Sequence, residues 1–303
     1  MATTTNVTTS YAGKYAGEYL RAAFLANDTL QNITLRENID YRAVVKKLVD
    51  DITFSSPTCA WSPTGQVDIT ERWLTLQKFQ VQRDLCLNNF LDDWAAGDVQ
   101  RGRLEPALVE NMIANMLEGV AQENERQIWV GNHTANPNTE YDGFMQLIGT
   151  DVDNDIIFAP SPVAITKSNV YQKIEDVVAL MPTAVKYANE KPTIYLSSDV
   201  WEAFMNASMA TGNGWYAYGG SAVPKSWMGT FNIAVCSGMP ASTIIFTRKS
   251  NLWFGTNLLN DWNNIQVVDM TQFAEDTFRF NAKFFAGAQY GIGAEIVAYS
   301  TWF

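Results

Sequence analysis

One long amphipathic helix is the strongest structural signal in this sequence. Between residues 104 and 130, apolar side chains recur four positions apart and form two adjacent rows on one helix face. The rows are Leu104, Leu108, Met112, Met116 and Val120, and beside them Val109, Ile113 and Leu117. Pro106 near the start and Gly131 after the end are typical helix boundary residues. At about 1.5 Å per residue this helix runs about 40 Å, the length of a whole domain.

The segment Val67–Val81 is the hardest part of the chain to place within one core. Its apolar and polar residues are mixed, so that neither face of an extended strand is cleanly apolar. Turn residues at Ser55–Pro57 and Trp61–Gly65 precede it, after the apolar stretch Val44–Val49. We predict a long hairpin that extends onto neighbouring molecules. An edge ribbon within the chain's own sheet is the alternative.

The first 35 residues are predicted to form an arm. Residues 1–10 are Thr-rich and read as a tail, and residues 11–26 as a short helix. Three tyrosines four positions apart, Tyr11, Tyr15 and Tyr19, lie on one face of that helix. Thr29–Leu35 is predicted to be extended. Because short isolated helices fold poorly alone, we favour docking of the arm on another subunit over docking on its own.

The middle of the chain is predicted to alternate between helices and strands. Residues 132–167 read as a loop-rich connection that includes the apolar run Phe144–Ile148. Ser168 is predicted to cap a helix, Thr193–Leu196 is a strand, and Ser198 or Asp199 caps a second helix. This order is α/β alternation.

The later part of the chain is predicted to be a long loop followed by strands. Residues 211–230 include four glycines between positions 212 and 220 together with Trp215 and Tyr216, and a loop of this length tends to be functional. Between residues 278 and 284, phenylalanine and alanine alternate with polar residues, as in a strand with one buried face. The other predicted strands are Thr243–Thr247, Leu252–Phe254, Ile265–Val268 and Glu295–Tyr299.

Known catalytic patterns do not occur in the sequence. The chain has one histidine, His133, against 10 Trp, 12 Tyr and 16 Phe, and it contains neither a GxxxxGK[ST] loop nor a GxSxG elbow. Aromatic side chains are enriched at protein interfaces. We therefore predict a structural protein that is not an enzyme, with no catalytic residues and no cofactor.

A metal site is not predicted either. Asp151, Asp153 and Asp155 alternate like the start of a calcium loop, but Ile156 and Pro162 replace the glycine and glutamate that such a loop needs. We interpret the three aspartates as a solvated acidic turn. His133 has no histidine or cysteine near it in the sequence, which argues against zinc.

Charge and cysteine content limit the partners and the compartment. The net charge is −11, from 21 Lys plus Arg and 32 Asp plus Glu, without a basic run for specific DNA binding. An acidic protein can still enclose nucleic acid. Three cysteines without a CxxC pair fit reduced thiols in a cytoplasm. We expect no secretory signal, and no stretch approaches the roughly 20 apolar residues of a membrane helix.

In this order of elements the chain resembles the major capsid protein of tailed double-stranded DNA bacteriophages, with the Hong Kong 97-type fold. Pro63-Thr64-Gly65 followed by Thr70-Glu71-Arg72 looks like the segment that reaches over an adjacent subunit. The resemblance implies an α+β fold with an N-terminal arm, an extended β-hairpin loop, a peripheral domain with a long spine helix and an α/β axial domain. The implied bounds are 1–35 for the arm, 36–95 for the extended loop and flanking segments, 96–164 for the peripheral domain with its spine helix at 104–131, 165–262 for the axial domain, and 263–303 for the peripheral return strands.

The resemblance also implies a function. It implies hexamers and pentamers that self-assemble into an icosahedral shell around double-stranded DNA, a virion capsid assembled in the host bacterial cytoplasm. The implied partners are copies of the chain, a portal, scaffolding and possibly decoration proteins, and enclosed DNA bound without sequence specificity, with no membrane. Since no long charged helical extension precedes the arm, we expect scaffolding to be a separate protein. The residues expected at contacts between subunits are Tyr11, Tyr15, Tyr19, Trp61, Glu71, Arg72, Trp73, Trp215 and Tyr216.

Two other functions compete with the phage capsid. An encapsulin-like compartment shares the fold and differs in what it encloses, an enzyme instead of nucleic acid. A monomeric carbohydrate-binding protein lined with aromatic residues is the alternative from another class. A particle of megadalton mass would favour either shell, whereas a persistent monomer would contradict both.

Overall fold

The computed structural model of this chain gives most of the fold but not every residue. It describes residues 28–39, 41–50, 54, 56, 67–86, 106–151, 155–210, 226–228, 230–257, 265–270, 275 and 277–303. The predicted helix at residues 11–26 and nearly all of the predicted loop at 211–230 lie outside these ranges.

Six helices occur within the described ranges, and the long one dominates. Their bounds are Asp28–Asn32 (α1), Pro106–Val130 (α2), Phe144–Gly149 (α3), Val170–Leu180 (α4), Thr183–Lys186 (α5) and Ser198–Ala210 (α6). The long helix predicted over residues 104–130 is confirmed as α2. Two short 3-10 helices, Lys249–Asn251 and Gly293–Glu295, precede strands.

A five-stranded sheet is built around the longest strand, Thr277–Tyr290 (β12). The other members are Thr34–Arg36 (β1), Gln77–Cys86 (β4), Leu252–Thr256 (β10) and Ile265–Asp269 (β11). β4, β10 and β11 each pair antiparallel with β12, and β1 pairs parallel with β10. The predicted alternation on β12 is confirmed, because Phe280, Ala282 and Phe284 are buried on one face.

A six-stranded mixed sheet forms the second layer. Its strands, in spatial order, are Ile157–Phe158 (β5), Val297–Tyr299 (β13), Ile244–Thr247 (β9), Thr193–Ser197 (β6), Phe231–Cys236 (β8) and Ser226–Trp227 (β7). β6 is buried throughout. Ile194 and Leu196 join the core that contains α4 and α6, whereas Tyr195 on the opposite face joins the core that contains α2 and the five-stranded sheet. The six-stranded sheet therefore separates the two main cores.

A third, two-stranded sheet is a hairpin. It pairs Arg42–Asp50 (β2) with Val67–Thr75 (β3), antiparallel, from Arg42 opposite Thr75 to Asp50 opposite Val67. The predicted hairpin is present, but the predicted ribbon Val67–Val81 divides at Leu76. Its second part enters β4, which pairs with β12 at an edge of the five-stranded sheet. For this part, the alternative interpretation of an edge ribbon within the chain's own sheet is the correct one. Leu76 and Phe79 are buried there, which satisfies their apolar surface within the chain.

Several local predictions are wrong, and the differences have physical causes. Residues 28–32 form α1 instead of an extended segment, because Thr29 and Leu30 are buried against the core. The run Phe144–Ile148 lies in α3, where Phe144, Met145 and Ile148 are buried on one side. Helix α4 begins at Val170 with Asn169, not Ser168, at its N-cap position.

Two strand predictions also need correction. β8 was not predicted, although it pairs parallel with the central strand β6. The predicted last strand Glu295–Tyr299 begins as the 3-10 helix Gly293–Glu295, and only Val297–Tyr299 is a strand. The predicted domain boundaries stay predictions.

Candidate functional site

The hairpin has an outer face that is open to solvent. Val44 lies opposite Trp73, and Lys46 lies opposite Glu71, with 3.2 Å between Lys46 Nζ and Glu71 Oε1. The Trp73 side chain is 47% exposed, and Arg42 stacks its guanidinium 5.1 Å from the centre of the Trp73 ring. This outer face therefore presents an aromatic ring, aliphatic surface and both signs of charge.

The inner face of the hairpin carries Arg72, which points at the body of the protein. Its Nη1 donates a hydrogen bond of 2.7 Å to the Tyr290 hydroxyl, and its Nη2 lies 3.2 Å from Asp151 Oδ1. The guanidinium carbon is also 4.3 Å from the centre of the Tyr290 ring. We call Arg72, Asp151 and Tyr290 the hairpin clamp. It joins β3 to the last residue of β12 and to the chain that follows α3.

The clamp is polar but shielded. The Asp151 side chain is 3% exposed and accepts a 2.6 Å hydrogen bond from the Tyr290 hydroxyl. Burial, together with that hydrogen bond to Asp151, raises the pKa of Tyr290 well above its ordinary value, so the phenol stays protonated and keeps donating. The Asp155 backbone N–H donates to the second Asp151 oxygen at 3.2 Å. The predicted solvated acidic turn is therefore wrong for Asp151.

Two facing glycines let the base of the hairpin approach the five-stranded sheet. Gly255 on β10 is paired with Gly287 on β12. A Cβ on Gly255 would lie 2.8 Å from a Leu76 methyl and 2.9 Å from a Leu74 methyl, and one on Gly287 would lie 2.5 Å from the Thr75 carbonyl oxygen. We call this glycine pair the hairpin seat. Leu74 and Leu76 are almost fully buried on it, because no side chain intervenes.

The helix α1 is attached to α2 by a second, more deeply buried network. The Thr29 hydroxyl donates to Glu125 and accepts a 2.7 Å hydrogen bond from Trp129 Nε1. The Tyr195 hydroxyl donates 2.6 Å to the Asn32 carbonyl at the end of α1. Burial raises the pKa of Glu125 above its ordinary value.

The structure tests only part of the predicted set of contact residues. Tyr11, Tyr15, Tyr19, Trp61, Trp215 and Tyr216 lie outside the described ranges. Glu71 and Trp73 lie on the outer face of the hairpin, whereas Arg72 forms the clamp within its own chain. Contact of any of these residues with another subunit stays a prediction.

The sequence did not identify the residues that support the hairpin. Asp151 was noticed as one of three acidic residues, but its partner Arg72 is 79 positions away and Tyr290 is 139 positions away. Gly287 lies inside β12, and its partner in the seat, Gly255, is 32 positions away. No local pattern links these positions, so a structure was needed to bring them together.

Metal and membrane sites receive no support from the described part of the chain. Within it, no group of three or more His, Cys, Asp or Glu side chains is arranged to hold a metal ion. None of the helices within the described ranges combines the length and apolar character that crossing a bilayer requires.

Comparisons with known proteins identify the fold. No protein-family model matches the sequence, and no curated protein matches it either. Among solved structures, the capsid of a native GTA particle, computed with C5 symmetry, is 18% identical with a TM-score of 0.62, covering 91% of this chain and 89% of that one. The capsid of Myoviridae phage XM1 is 10% identical with a TM-score of 0.57, covering 88% of each chain.

A third similar structure is a chain of Mycobacterium phage Bobi, 14% identical with a TM-score of 0.57, covering 90% of this chain and 89% of that one. Across these three structures the similarity extends over nearly the whole chain on both sides. The chain therefore has the α+β fold of phage capsid proteins, and the predicted Hong Kong 97-type fold is confirmed.

Proposed function

We propose that this chain is the major capsid protein of a tailed phage, which self-assembles as hexamers and pentamers into an icosahedral shell around double-stranded DNA. The observation that carries the proposal is the similarity of fold to capsid chains over about nine tenths of both partners. A single chain that occupies both kinds of ring needs heterologous contacts that close.

The outer face of the hairpin supports assembly through this element. A two-stranded hairpin is at best marginally stable in water by itself, and this one pairs with no further strand within the described ranges. Tryptophan, tyrosine and arginine are the residues that most often dominate binding at interfaces. Trp73 and Arg42 supply two of these types on the outer face, and the 62% exposed Tyr41, whose ring centre is 5.6 Å from the Arg42 guanidinium carbon, directly precedes β2. We expect this face to be buried against a neighbouring copy.

The proposal includes the contents of the shell and its partners. The net charge of −11 argues against sequence-specific binding of DNA, and an acidic shell can still enclose it. Portal and scaffolding proteins, with or without decoration proteins, would complete a virion assembled in the bacterial cytoplasm.

Assembly of the purified full chain, alone and with its scaffolding protein, tests the proposal. We expect shells of megadalton mass by light scattering and closed particles by electron microscopy. A chain that remains a 33.8 kDa monomer under all assembly conditions would contradict the proposal. Particles recovered from cells are expected to contain double-stranded DNA, and an enclosed enzyme would instead indicate an encapsulin-like compartment.

Trp73→Ala tests the role of the hairpin face. Truncation of an aromatic residue that dominates an interface costs about 2 kcal/mol, so the concentration at which shells form should rise about 30-fold. The measurement is the light-scattering threshold across a dilution series. Trp302→Ala is the matched control, because it removes an indole with similar exposure, 53%, outside the hairpin. Equal thresholds for the two variants would contradict a role of the outer hairpin face in assembly.

A further inference from the structure

We propose that Arg72 is a positioning residue: through the clamp it fixes the direction in which the hairpin leaves the body, and this direction selects the geometry of the shell. The second half of this inference rests on the proposed function, because it concerns assembled particles. The first half concerns the isolated chain and stands independently of it.

The contacts of Arg72 define an orientation and not merely an attachment. Its guanidinium makes three contacts with two separate parts of the body, since it stacks on the Tyr290 ring, donates to the Tyr290 hydroxyl and pairs with Asp151. The guanidinium is a planar and rigid fork, so its two donor groups can satisfy both partners only within a narrow range of angles. Tyr290 and Asp151 also bond to each other, which fixes the target that Arg72 meets.

The seat and the clamp are two separate points along β3. Leu74 lies on the seat, and Arg72 is two residues further along the same strand and on the same strand face. These positions are about 7 Å apart, because a strand rises about 3.4 Å per residue. One point of contact would leave the hairpin free to pivot over the glycines. Two points on one strand determine its direction.

The length of the hairpin beyond the clamp makes its direction matter. Five further residues lead from Arg72 to Val67, where β3 begins, so the paired strands extend about 17 Å past the clamp. The seat is about 24 Å from the far end of the pair, so a rotation of about 10° at the seat would move that end by about 4 Å. Such a displacement is enough to misalign the side chains of a docked interface, whose packing resembles a protein interior.

The opposite face of β3 offers a control within the same hairpin. Glu71 is adjacent to Arg72, but it pairs across the hairpin with Lys46 and makes this contact without reaching the body. Glu71→Gln therefore removes a charge at nearly the same place and leaves the clamp intact. Arg72→Gln and Tyr290→Phe each weaken the clamp, and the second removes a single hydroxyl group.

The direction of the hairpin can be measured in the unassembled chain by pulsed electron paramagnetic resonance. Spin labels at Asp50→Cys, at the end of β2, and at Gln122→Cys, on the exposed side of α2, report it, with Cys59→Ser and Cys86→Ser preventing stray labelling. We expect narrow distance distributions for the parent and for Glu71→Gln. For Arg72→Gln and Tyr290→Phe we expect distributions about 4 Å broader. Unchanged widths for both clamp variants would overturn the inference.

Electron microscopy of assembled particles tests the second half. The parent should form shells of one diameter, whereas the clamp variants should form shells of mixed diameter or open sheets. Uniform parental shells from a clamp variant with broadened distances would overturn the link between hairpin direction and shell geometry. If the parent forms no shells at all, the proposed function fails, and broadened distances in the clamp variants would still support the positioning role. If Arg72→Gln does not fold, Tyr290→Phe carries the test.

Discussion

The helix α1 and the hairpin are attached to the body of the protein by different kinds of polar contact. At α1, Thr29, Glu125 and Trp129 form a hydrogen-bonded network that is shielded from water on all sides. At the hairpin, the polar contact with the body is an ion pair between a partly exposed Arg72 and a buried Asp151, beside the apolar contacts of the seat. Solvent is therefore excluded from the network at α1, whereas it reaches the Arg72 side of the clamp.

This difference predicts different behaviour. A fully buried polar network is costly to break one bond at a time, because each group left unpaired pays its full desolvation cost. Helix α1 should therefore separate from the body only when the surrounding core unfolds. Arg72 has access to water on one side, so the clamp can open while both cores stay folded. The hairpin should therefore separate from the body more readily than α1 does.

The largest effect is expected at the seat, where no side chain can be accommodated. In Gly287→Ala the new Cβ would lie 2.5 Å from the backbone oxygen of Thr75, so the hairpin base must move. We expect a loss of about 1–3 kcal/mol in the free energy of unfolding, as for other overpacked sites. Chemical denaturation measures it, and faster hydrogen exchange near Leu74 should localise it.

A glycine without close neighbours provides the matched control for this substitution. A Cβ on Gly119, in α2, would meet nothing within 4 Å. Gly119→Ala should therefore stabilise the chain by up to about 1 kcal/mol, because alanine favours a helix more than glycine does. If both variants destabilised the chain equally, the close approach at the seat would not explain the loss of stability in Gly287→Ala.

A smaller, pH-dependent effect is expected at the attachment of α1. Because burial raises the pKa of Glu125 above its ordinary 4.5, the folded chain holds this proton more tightly than the unfolded chain does. The resulting stabilisation is complete below about pH 4.5 and is lost as the pH rises through the folded pKa. In Glu125→Gln this stabilisation is not lost at higher pH, because glutamine does not titrate. The free energy of unfolding of the variant should therefore improve relative to the parent as the pH rises.

Denaturation at a series of pH values tests the sign of this dependence. The difference between Glu125→Gln and the parent should change in one direction only, in favour of the variant at higher pH. A difference that moved towards the parent with rising pH would mean that the two hydrogen bonds from Thr29 outweigh burial. The same series on Glu71→Gln is the control, because Glu71 is exposed.

Features that depend on neighbours in the sequence could be predicted, and features that depend on distant residues could not. Helix α2 was predicted almost to its ends, because its apolar rows repeat within a few residues. Helix α1 has five residues and no pattern of its own, and Thr29 bonds to Glu125 across 96 positions. Strand β8 follows the glycine-rich segment 211–230 and has no strict alternation of buried and exposed residues. Neither the spacing of its apolar residues nor the turn residues around it therefore predicted a strand.

The candidate site divides in the same way. The hairpin was predicted from the mixed polarity of the ribbon, which is a local property, whereas Glu71 and Trp73 were expected at subunit contacts because of the family resemblance. Their neighbour Arg72 was grouped with them, because nothing in the sequence distinguishes an arginine that faces outwards from one that faces Asp151. The face on which a strand residue lies depends on the pairing register, and a shift of the register by one residue moves the side chain to the other face.

The smallest effect is expected for the exposed ion pair on the outer face of the hairpin. Lys46 and Glu71 are 66% and 39% exposed, so water and salt screen their attraction. A double-mutant cycle with Lys46→Ala and Glu71→Ala should give a coupling energy of about 0.2–1 kcal/mol, decreasing with added salt. The corresponding cycle on Arg72 and Asp151 should give a larger value that depends less on salt, since the Asp151 side chain is shielded from solvent. Equal coupling energies and equal salt dependence for the two pairs would show that the clamp is no stronger than a surface contact, and the contrast between the two faces of β3 would disappear.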